Sequence, residues 1–329
     1  MFPQSTVSLS GLATPVVDDN LDIVIVNWNS GALLRSCLES LAAAQLGEVG
    51  VGRIVVVDNG STDESLVNVE RIHPPILLMR NDRNLGFSVA CNLGAAHSHA
   101  KYLLFLNPDT RVFSDSLKHP LQFMDDPASE SVGICGIRLL DHEARTSRTC
   151  CRFPTGATFV YKAIGLDVLL PRLFRSYVMT HWDHAQSARV DHVIGAFYLV
   201  RRSVFEQLGG FDERFFLYLE DLDFSLRARR AGWSTHYLAE VCAYHEGGGI
   251  SSQVRAARLC FSLRSRIQYA FKHLALGSAI LVFLTTVFVE PLCRLARALL
   301  RGAPKEIAHT VGGYWMFWKG FSLSLFETK

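Results

Sequence analysis

Residues 101–109, Lys-Tyr-Leu-Leu-Phe-Leu-Asn-Pro-Asp, set the tightest limit on what this chain can fold into. An unbroken apolar run that stops at Asn107-Pro108-Asp109 predicts a buried strand with a carboxylate at its carboxyl end. Runs of this length suit strands covered on both faces. Open α/β sheets bind ligands just outside such strand ends. Asp109 is therefore the first candidate functional side chain, and metal ligation is its first candidate role.

The same arrangement recurs upstream. Residues 21–26 predict a first strand ending at Asn27-Trp28-Asn29-Ser30, with Ser30 capping a helix whose apolar positions include Leu34, Leu38 and Leu41. Residues 53–57 predict a second strand, ending at Asp58-Asn59-Gly60-Ser61-Thr62-Asp63, and residues 76–79 a third. Residues 87–100 read as a small-residue helix leading into the strand Tyr102–Leu106. Strand–helix alternation of this kind predicts a mostly parallel sheet with helices on both faces. Two polar loops then converge on one edge of it.

Downstream, Val132–Leu140 predicts a strand, whereas residues 141–190 have no clear period, as long binding loops and lids do not. Residues 193–200 resume strand character, Ser203 is placed to cap a short helix, and Gly209-Gly210 ends it. Glu220-Asp221, with Asp223 nearby, head a basic helix whose amino-terminal dipole favours them. A strand over 234–244 then delivers His245.

The 329 residues are 49% hydrophobic and 19% charged, enough to bury a substantial core. A net charge of +2 gives no whole-protein reason to expect nucleic acid. The eight cysteines form no CxxC pair and read as buried reduced thiols of a reducing compartment. The amino terminus lacks the basic start and apolar stretch of a secretory signal, so Asn59-Gly60-Ser61 is expected to be a turn only. Residues 1–20 are expected to be a mobile lead-in.

Past residue 250 the composition changes. Residues 251–273 form a basic helical pattern with Arg255, Arg258, Arg264, Arg266 and Lys272. Residues 274–289 are almost wholly apolar, a run shorter than the roughly 20 residues a bilayer span needs. Arg294, Arg297, Arg301 and Lys305 follow, interleaved with leucines. A basic, apolar-faced helix is an interfacial membrane signature; packing within the protein or in a homo-oligomer, and a true membrane span, are the alternatives.

Four constellations carry candidate chemistry. Asn27 and Asn29, with Asp58 and Asn59, are suited to the base and ribose of a nucleotide, although the same residues favour ordinary turns. Asp109 suffices for a cation such as Mg²⁺ that takes one or two carboxylates plus substrate phosphates. One of Glu220 and Asp221, pointing into a cleft, would be a general base. His245 is a candidate metal ligand or phosphate contact. The chain has no G-x-x-x-x-G-K-[ST], no G-x-G-x-x-G after its first strand and no G-x-S-x-G, which weighs against P-loop ATPases, dinucleotide dehydrogenases and serine hydrolases.

Taken in order, "VIVNWNS", "IVVVDNGSTD", "NDRNLGFSVACNLG", "YLLFLNPDT", "VIGAFYLVRRSVFEQLGGFDERFFLYLEDLDFSLRARRAGW" and "AYHEGG" resemble glycosyltransferase family 2, the inverting enzymes of GT-A fold. Within that family the chain looks most like the bacterial rhamnosyltransferase branch. The resemblance implies an α/β GT-A domain over residues 21–250, with a nucleotide-binding half at 21–110 and an acceptor half at 111–250. A helical, membrane-associating extension would occupy 251–329.

The resemblance also implies roles. Asp58 and the loop after Val26 match positions holding the nucleobase, and Asn84 and Asn92 lie in a nucleotide-binding motif. Asp109 matches the last residue of the metal-binding DXD motif, with Asn107 in place of its first aspartate. Asp221 matches the catalytic base, with Glu220 beside it, and His245 a third metal or diphosphate contact. The implied cofactor is Mg²⁺ or Mn²⁺. The implied reaction moves L-rhamnose from dTDP-rhamnose to a lipid-linked or cell-envelope glycan. The enzyme is expected to be cytoplasmic, held peripherally on the cytoplasmic face of the membrane. A UDP- or GDP-hexose donor, or a non-catalytic sugar-nucleotide binder, are the alternatives.

Overall fold

Every residue of Leu21–Asn27 is buried, and alternate side chains serve opposite faces of a sheet. Leu21, Ile23 and Ile25 join one apolar cluster; Val24 and Val26 join another. The same division separates Leu104 and Leu106 from Leu103 and Phe105. A sheet covered on both faces follows from these runs.

The computed structural model describes residues 6–7, 20–44, 50–72, 75–247 and 254–326. In chain order its elements begin with β1 (Thr6–Val7), β2 (Leu21–Asn27), α1 (Ala32–Ala43), β3 (Val51–Asp58), β4 (Ile76–Arg80), α2 (Phe87–Ala95), β5 (Tyr102–Leu106) and β6 (Thr110–Val112). Next come α3 (Lys118–Asp125), β7 (Val132–Leu140), β8 (Cys150–Cys151), α4 (Gly156–Ile164), α5 (Leu166–Leu169), β9 (Ala188–Val190), β10 (His192–Val193), β11 (Phe197–Arg201) and α6 (Arg202–Gln207). The remainder are α7 (Glu220–Arg230), β12 (Ser234–His245), α8 (Arg255–His273), α9 (Leu276–Leu284), α10 (Glu290–Leu300) and α11 (Pro304–Phe326). Most of the lead-in expected to be mobile lies outside the described residues.

Two compact units divide the chain. The first comprises residues 1–152, 178–214 and 220–249. Its ten-stranded sheet runs β1-β4-β3-β2-β5-β11-β7-β12-β6, with β9 on β12. Strands β4, β3, β2 and β5 are mutually parallel, β11 is antiparallel to both neighbours, and β12 is parallel to β7. The carboxyl ends of β2, β3, β5 and β12 consequently share one edge, the edge where open α/β sheets bind ligands. Leu34, Leu38 and Leu41 of α1 cover one face, and Ala90 and Cys91 of α2 the other.

Local chemistry moves several boundaries. The helix expected over 87–100 stops at Ala95. Buried Asp22 takes the backbone N–H groups of Arg53 (2.8 Å), His99 (2.8 Å) and Ala100 (3.1 Å), together with the Ser98 hydroxyl. Residues 98–100 turn around that carboxylate instead of continuing the helix. Ser203 lies inside α6, which starts from Arg201.

The second unit comprises residues 153–177, 215–219 and 250–329 and is helical. Thr155 and Thr158 form a reciprocal capping box at the start of α4. Cys260, Leu263, Val287, Tyr314 and Phe317 form its apolar centre. The 274–289 run does not end a helix at Glu290-Pro291. A π-helical turn at Thr285–Val289 joins α9 to α10, where Pro291 sits in a first turn that needs no N–H from it.

Gly94 sets how closely α2 approaches the sheet. A Cβ there would lie 2.5 Å from Val24 Cγ1 and 3.1 Å from Val57 Cγ2. Gly94→Val is expected to lower stability by about 1–3 kcal/mol through overpacking, read as a lower urea midpoint at unchanged m-value. An unchanged midpoint would mean that α2 lifts from the sheet at no cost.

Candidate functional site

The β2–β3 register sets Asn27 opposite Asp58. Asn27 is buried, and its Nδ2 donates to Asp58 Oδ1 (2.8 Å), Ser61 Oγ (3.0 Å) and Ser65 Oγ (2.9 Å). Its Oδ1 accepts from the Ser30 hydroxyl. Ser30 is thereby diverted from the capping role expected of it; Gly31, at φ +57°, precedes α1 and gives its N–H to Asp63 (2.8 Å). Asn29 donates its own N–H to Ser61 Oγ (2.9 Å) and accepts the Thr62 N–H at Oδ1 (2.8 Å). The two polar loops are therefore knitted together at the rim of the sheet.

The other candidate nucleotide contacts divide. Asp58 takes the Ser61 N–H (3.1 Å) as well as Asn27. Asn59 is buried, donating to Gly86 O (3.0 Å) and accepting from Asn81 (2.9 Å), and the chain bends at Gly60, whose φ is +72°. Asn84 Oδ1 takes the Gly86 N–H (2.9 Å). Asn92 Nδ2 and Oδ1 each bond the Phe211 backbone at 2.9 Å, tying α2 to the 210–213 loop. The amides of Asn27, Asn59 and Asn92 are thus committed to protein partners, shaping the rim.

Asp109 and His245 do come together. The Asn107 N–H donates to Ala196 O (3.0 Å), and Thr110 pairs in register with His245. His245 Nε2 then stands 3.3 Å from Asp109 Oδ1, both side chains largely buried. A carboxylate and an imidazole at this separation fit a divalent cation that completes its shell with phosphate oxygens and water. Among the described residues no third His, Cys, Asp or Glu joins the pair.

Asp221 sits in the first turn of α7, directly after Tyr218 and Leu219, whose φ angles of +73° and +67° are strained for such side chains. Its Oδ1 accepts the Leu222 N–H (2.8 Å), and its Oδ2 accepts the Gly195 N–H (2.7 Å). His192 Nε2 lies 3.6 Å from Oδ2. Helix α7 is pinned by the Asp223–Arg227 ion pair (2.8 Å), with Arg227 also donating to Leu208 O and Gly210 O at 2.8 Å. Its Phe224 meets Phe205 and Phe211 in tilted contacts, and both of these rings touch Phe105.

Glu220, grouped with Asp221 in the sequence, is placed differently. It is buried, and its Oε2 makes no hydrogen bond. Burial first, then the charge of Asp221, hold its carboxyl well above the usual carboxylate range. Its surroundings favour the protonated form, which sets it apart from a group that must accept a proton.

Sequence reasoning passes over Gly195 and His192, for which the glycine of "VIGAF" was the one available signal. The Gly195-Ala196 stretch is central, because Gly195 donates to Asp221 while Ala196 accepts from Asn107.

Comparison with known proteins identifies the family and the fold. The Glycosyl transferase family 2 profile matches residues 22–209, more than half of the chain. The chain is 28% identical over 231 residues to the low-salt glycan biosynthesis hexosyltransferase Agl10 of Haloferax volcanii, covering 69% of this chain and 67% of that one. It is 29% identical over 242 residues to an N-acetylglucosaminyl-diphospho-decaprenol L-rhamnosyltransferase of Mycobacterium tuberculosis, covering 69% and 76%. It is 27% identical to the rhamnosyltransferase WbbL of Escherichia coli K12 over 68% of this chain and 82% of that one. Among solved structures, the mannosyltransferase PcManGT of Pyrobaculum calidifontis, in complex with GDP-Man and Mn²⁺, shares the fold at TM-score 0.53 and 16% identity, covering 94% of this chain and 81% of that one.

Glu220 gives the folded protein a pH signature. The unfolded chain releases this proton near the ordinary value of 4.5, whereas the folded chain retains it to higher pH. The stability contribution is fully present below the unfolded value and is lost as pH rises towards the folded one. Glu220→Gln, an isostere of the neutral acid, is expected to gain melting temperature relative to wild type as pH rises above the ordinary value of 4.5. A difference that stays constant over that rise would show that Glu220 ionises freely.

Proposed function

Because the chain belongs to glycosyl transferase family 2, we propose that it moves L-rhamnose from dTDP-rhamnose to a lipid-linked or cell-envelope glycan, inverting the anomeric carbon. The mycobacterial and Escherichia coli relatives named rhamnosyltransferases support the sugar, and the decaprenol in the former's name supports a lipid-linked acceptor. The observation that carries the reading is the Gly195-Ala196 stretch, bonded on one side to Asp221 and on the other to the strand end that leads to Asp109. A UDP- or GDP-hexose donor is the second reading, favoured by the hexosyltransferase relative.

In this reading Asp58 and the rim that Asn27 and Asn29 knit together hold the nucleoside. Asp109 and His245 would hold Mg²⁺ or Mn²⁺ for the donor's diphosphate, an assignment supported by the Mn²⁺ of the mannosyltransferase complex. A cation bound there neutralises charge developing on the leaving diphosphate. Asp221, steadied by the N–H groups of Gly195 and Leu222, accepts the acceptor hydroxyl's proton as the new C–O bond forms. Attack from the face opposite the diphosphate inverts the sugar without a covalent enzyme intermediate.

The helical unit supplies the proposed route to a lipid-linked acceptor. Leu276–Leu300 is a 25-residue helical stretch, the one among the described residues long and apolar enough to cross a membrane. Its Glu290 is buried and paired with Arg266 and Arg294 (2.7 Å), so its charge is answered inside the unit. Leu276, Leu281, Leu284, Phe288, Leu292 and Leu299 are exposed, with Arg301 and Lys305 following. Apolar side chains bordered by cations suit a helix lying along the cytoplasmic face of an anionic membrane.

Two expectations follow from the chemistry. Asp221→Asn should lower transfer by about 10²-fold or more while leaving donor binding near normal, and retained transfer would remove Asp221 as base. Asp109→Ala should weaken donor binding in Mn²⁺ but not in EDTA; full wild-type activity in EDTA would eliminate the cation from the reaction. A third concerns the membrane. The protein should co-sediment with phosphatidylglycerol vesicles more than with phosphatidylcholine vesicles, and Leu281→Glu with Leu284→Glu should weaken this several-fold at unchanged melting temperature. Equal recovery of the double variant would point away from this face.

A further inference from the structure

His192 has no part in the reaction just described, yet it stands against the carboxylate proposed as the base. Its ring is buried on β10, whose pairing with β8 sets His192 opposite Cys151, and it cannot itself reach a substrate. Nδ1 lies 3.0 Å from Ser225 Oγ, and that hydroxyl lies 2.7 Å from the Tyr198 hydroxyl. Nε2 lies 3.6 Å from Asp221 Oδ2.

The protonation pattern follows from these neighbours. Burial holds the imidazole below its ordinary pKa, although the charges of Asp221 and Asp191 act the other way. A neutral ring carries one N–H. Placed on Nδ1, that proton would leave the Nε2 lone pair facing a carboxylate, which is repulsive. Placed on Nε2, it faces Asp221, and Nδ1 accepts from the Ser225 hydroxyl, which accepts in turn from Tyr198. The second arrangement meets the carboxylate with a donor, and it spends the Tyr198 proton on Ser225 in place of the Asp221 carbonyl 3.2 Å away.

The same carboxylate oxygen is hemmed in from another side. The Gly195 N–H donates to Oδ2 at 2.7 Å, and a Cβ on Gly195 would lie 3.1 Å from that oxygen. We propose that His192 is a positioning residue for Asp221: its Nε2–H, backed by the hydroxyls of Ser225 and Tyr198, works with the Gly195 N–H to hold the carboxylate in the rotamer that meets the acceptor hydroxyl. This rests on Asp221 being the base of the proposed transfer. A gap of 3.6 Å exceeds a hydrogen bond, and catalytic contacts of this kind shorten when the reactants bind.

The test is steady-state kinetics with dTDP-rhamnose as donor. His192→Phe, which keeps the ring's bulk without its N–H, is expected to lower kcat about 10- to 100-fold at nearly constant donor KM, since misplacing a reacting group costs up to about 10²-fold. His192→Gln, which restores an N–H donor, should recover part of the loss, and Ser225→Ala should cost several-fold. Added to Asp221→Asn, His192→Phe should have no further effect on the residual rate, because groups acting as a unit are not additive. A structural role would instead lower the melting temperature and slow the Asp221→Asn background by the same factor, and that result would overturn the proposal. If Asp221→Asn abolishes transfer while His192→Phe and His192→Gln match wild type, His192 alone is misassigned. If Asp221→Asn retains transfer, the base assignment fails and the role of His192 falls with it.

Discussion

One short stretch of backbone, Gly195-Ala196, holds the two corners of the proposed site together. Its Gly195 N–H meets Asp221, and its Ala196 carbonyl takes the Asn107 N–H at the end of β5. Strand β11 begins just beyond it, running antiparallel to β5 with Phe197 opposite Leu106. The strand end that leads to Asp109 and the helix turn that carries Asp221 are thus referenced to the same few atoms. Displacing this stretch would disturb both corners at once. A side chain at 195 would do so, because Asp221 Oδ2 already lies 3.1 Å from where its Cβ would be.

Below that stretch, the sheet supplies rigidity by being apolar on both faces. Alternation along β2 and β5 feeds two separate cores, so neither face can slip by one residue without exchanging its whole set of side chains. The register then sets Asn27 against Asp58, and His245 against Thr110. What the loops add is a knot of short polar contacts centred on Asn27, whose amide bonds Asp58, Ser30, Ser61 and Ser65. Such fully satisfied buried networks rigidify what they hold.

Much of this was legible in the sequence because it is local. The apolar runs at 21–26, 53–57, 76–79 and 102–106 became parallel strands within two residues of their expected limits. What the sequence misplaced depends on partners far along the chain. Ser30 has the composition of a cap but is taken by Asn27, and the helix begun at Phe87 ends early because Asp22, some 76 positions from Ser98, captures the turn that follows. Residues 141–190, without period, contain α4 and α5, and α4 packs with α9 in the helical unit. Gly195 and His192 went unmarked for the same reason: their meaning lies in Asp221, which is 26 residues away from the first.

The acidic triplet of α7 illustrates how position sorts residues that composition cannot. Glu220, Asp221 and Asp223 are equivalent as letters, and two adjacent ionised carboxylates repel. Burial, with no hydrogen bond at Oε2, pushes Glu220 towards its protonated form. Asp223, wholly buried on the same helix, has its charge met by Arg227, itself anchored on the carbonyls of Leu208 and Gly210. Asp221 alone combines access to solvent with donors on both oxygens and no ion-paired arginine. Three carboxylates within four residues thus become a group pushed towards protonation, a structural ion pair and a reachable base candidate. Pairs of titratable groups whose surroundings drive them apart are where acid–base assignments are found, and here the separation is made by which side of α7 each residue faces.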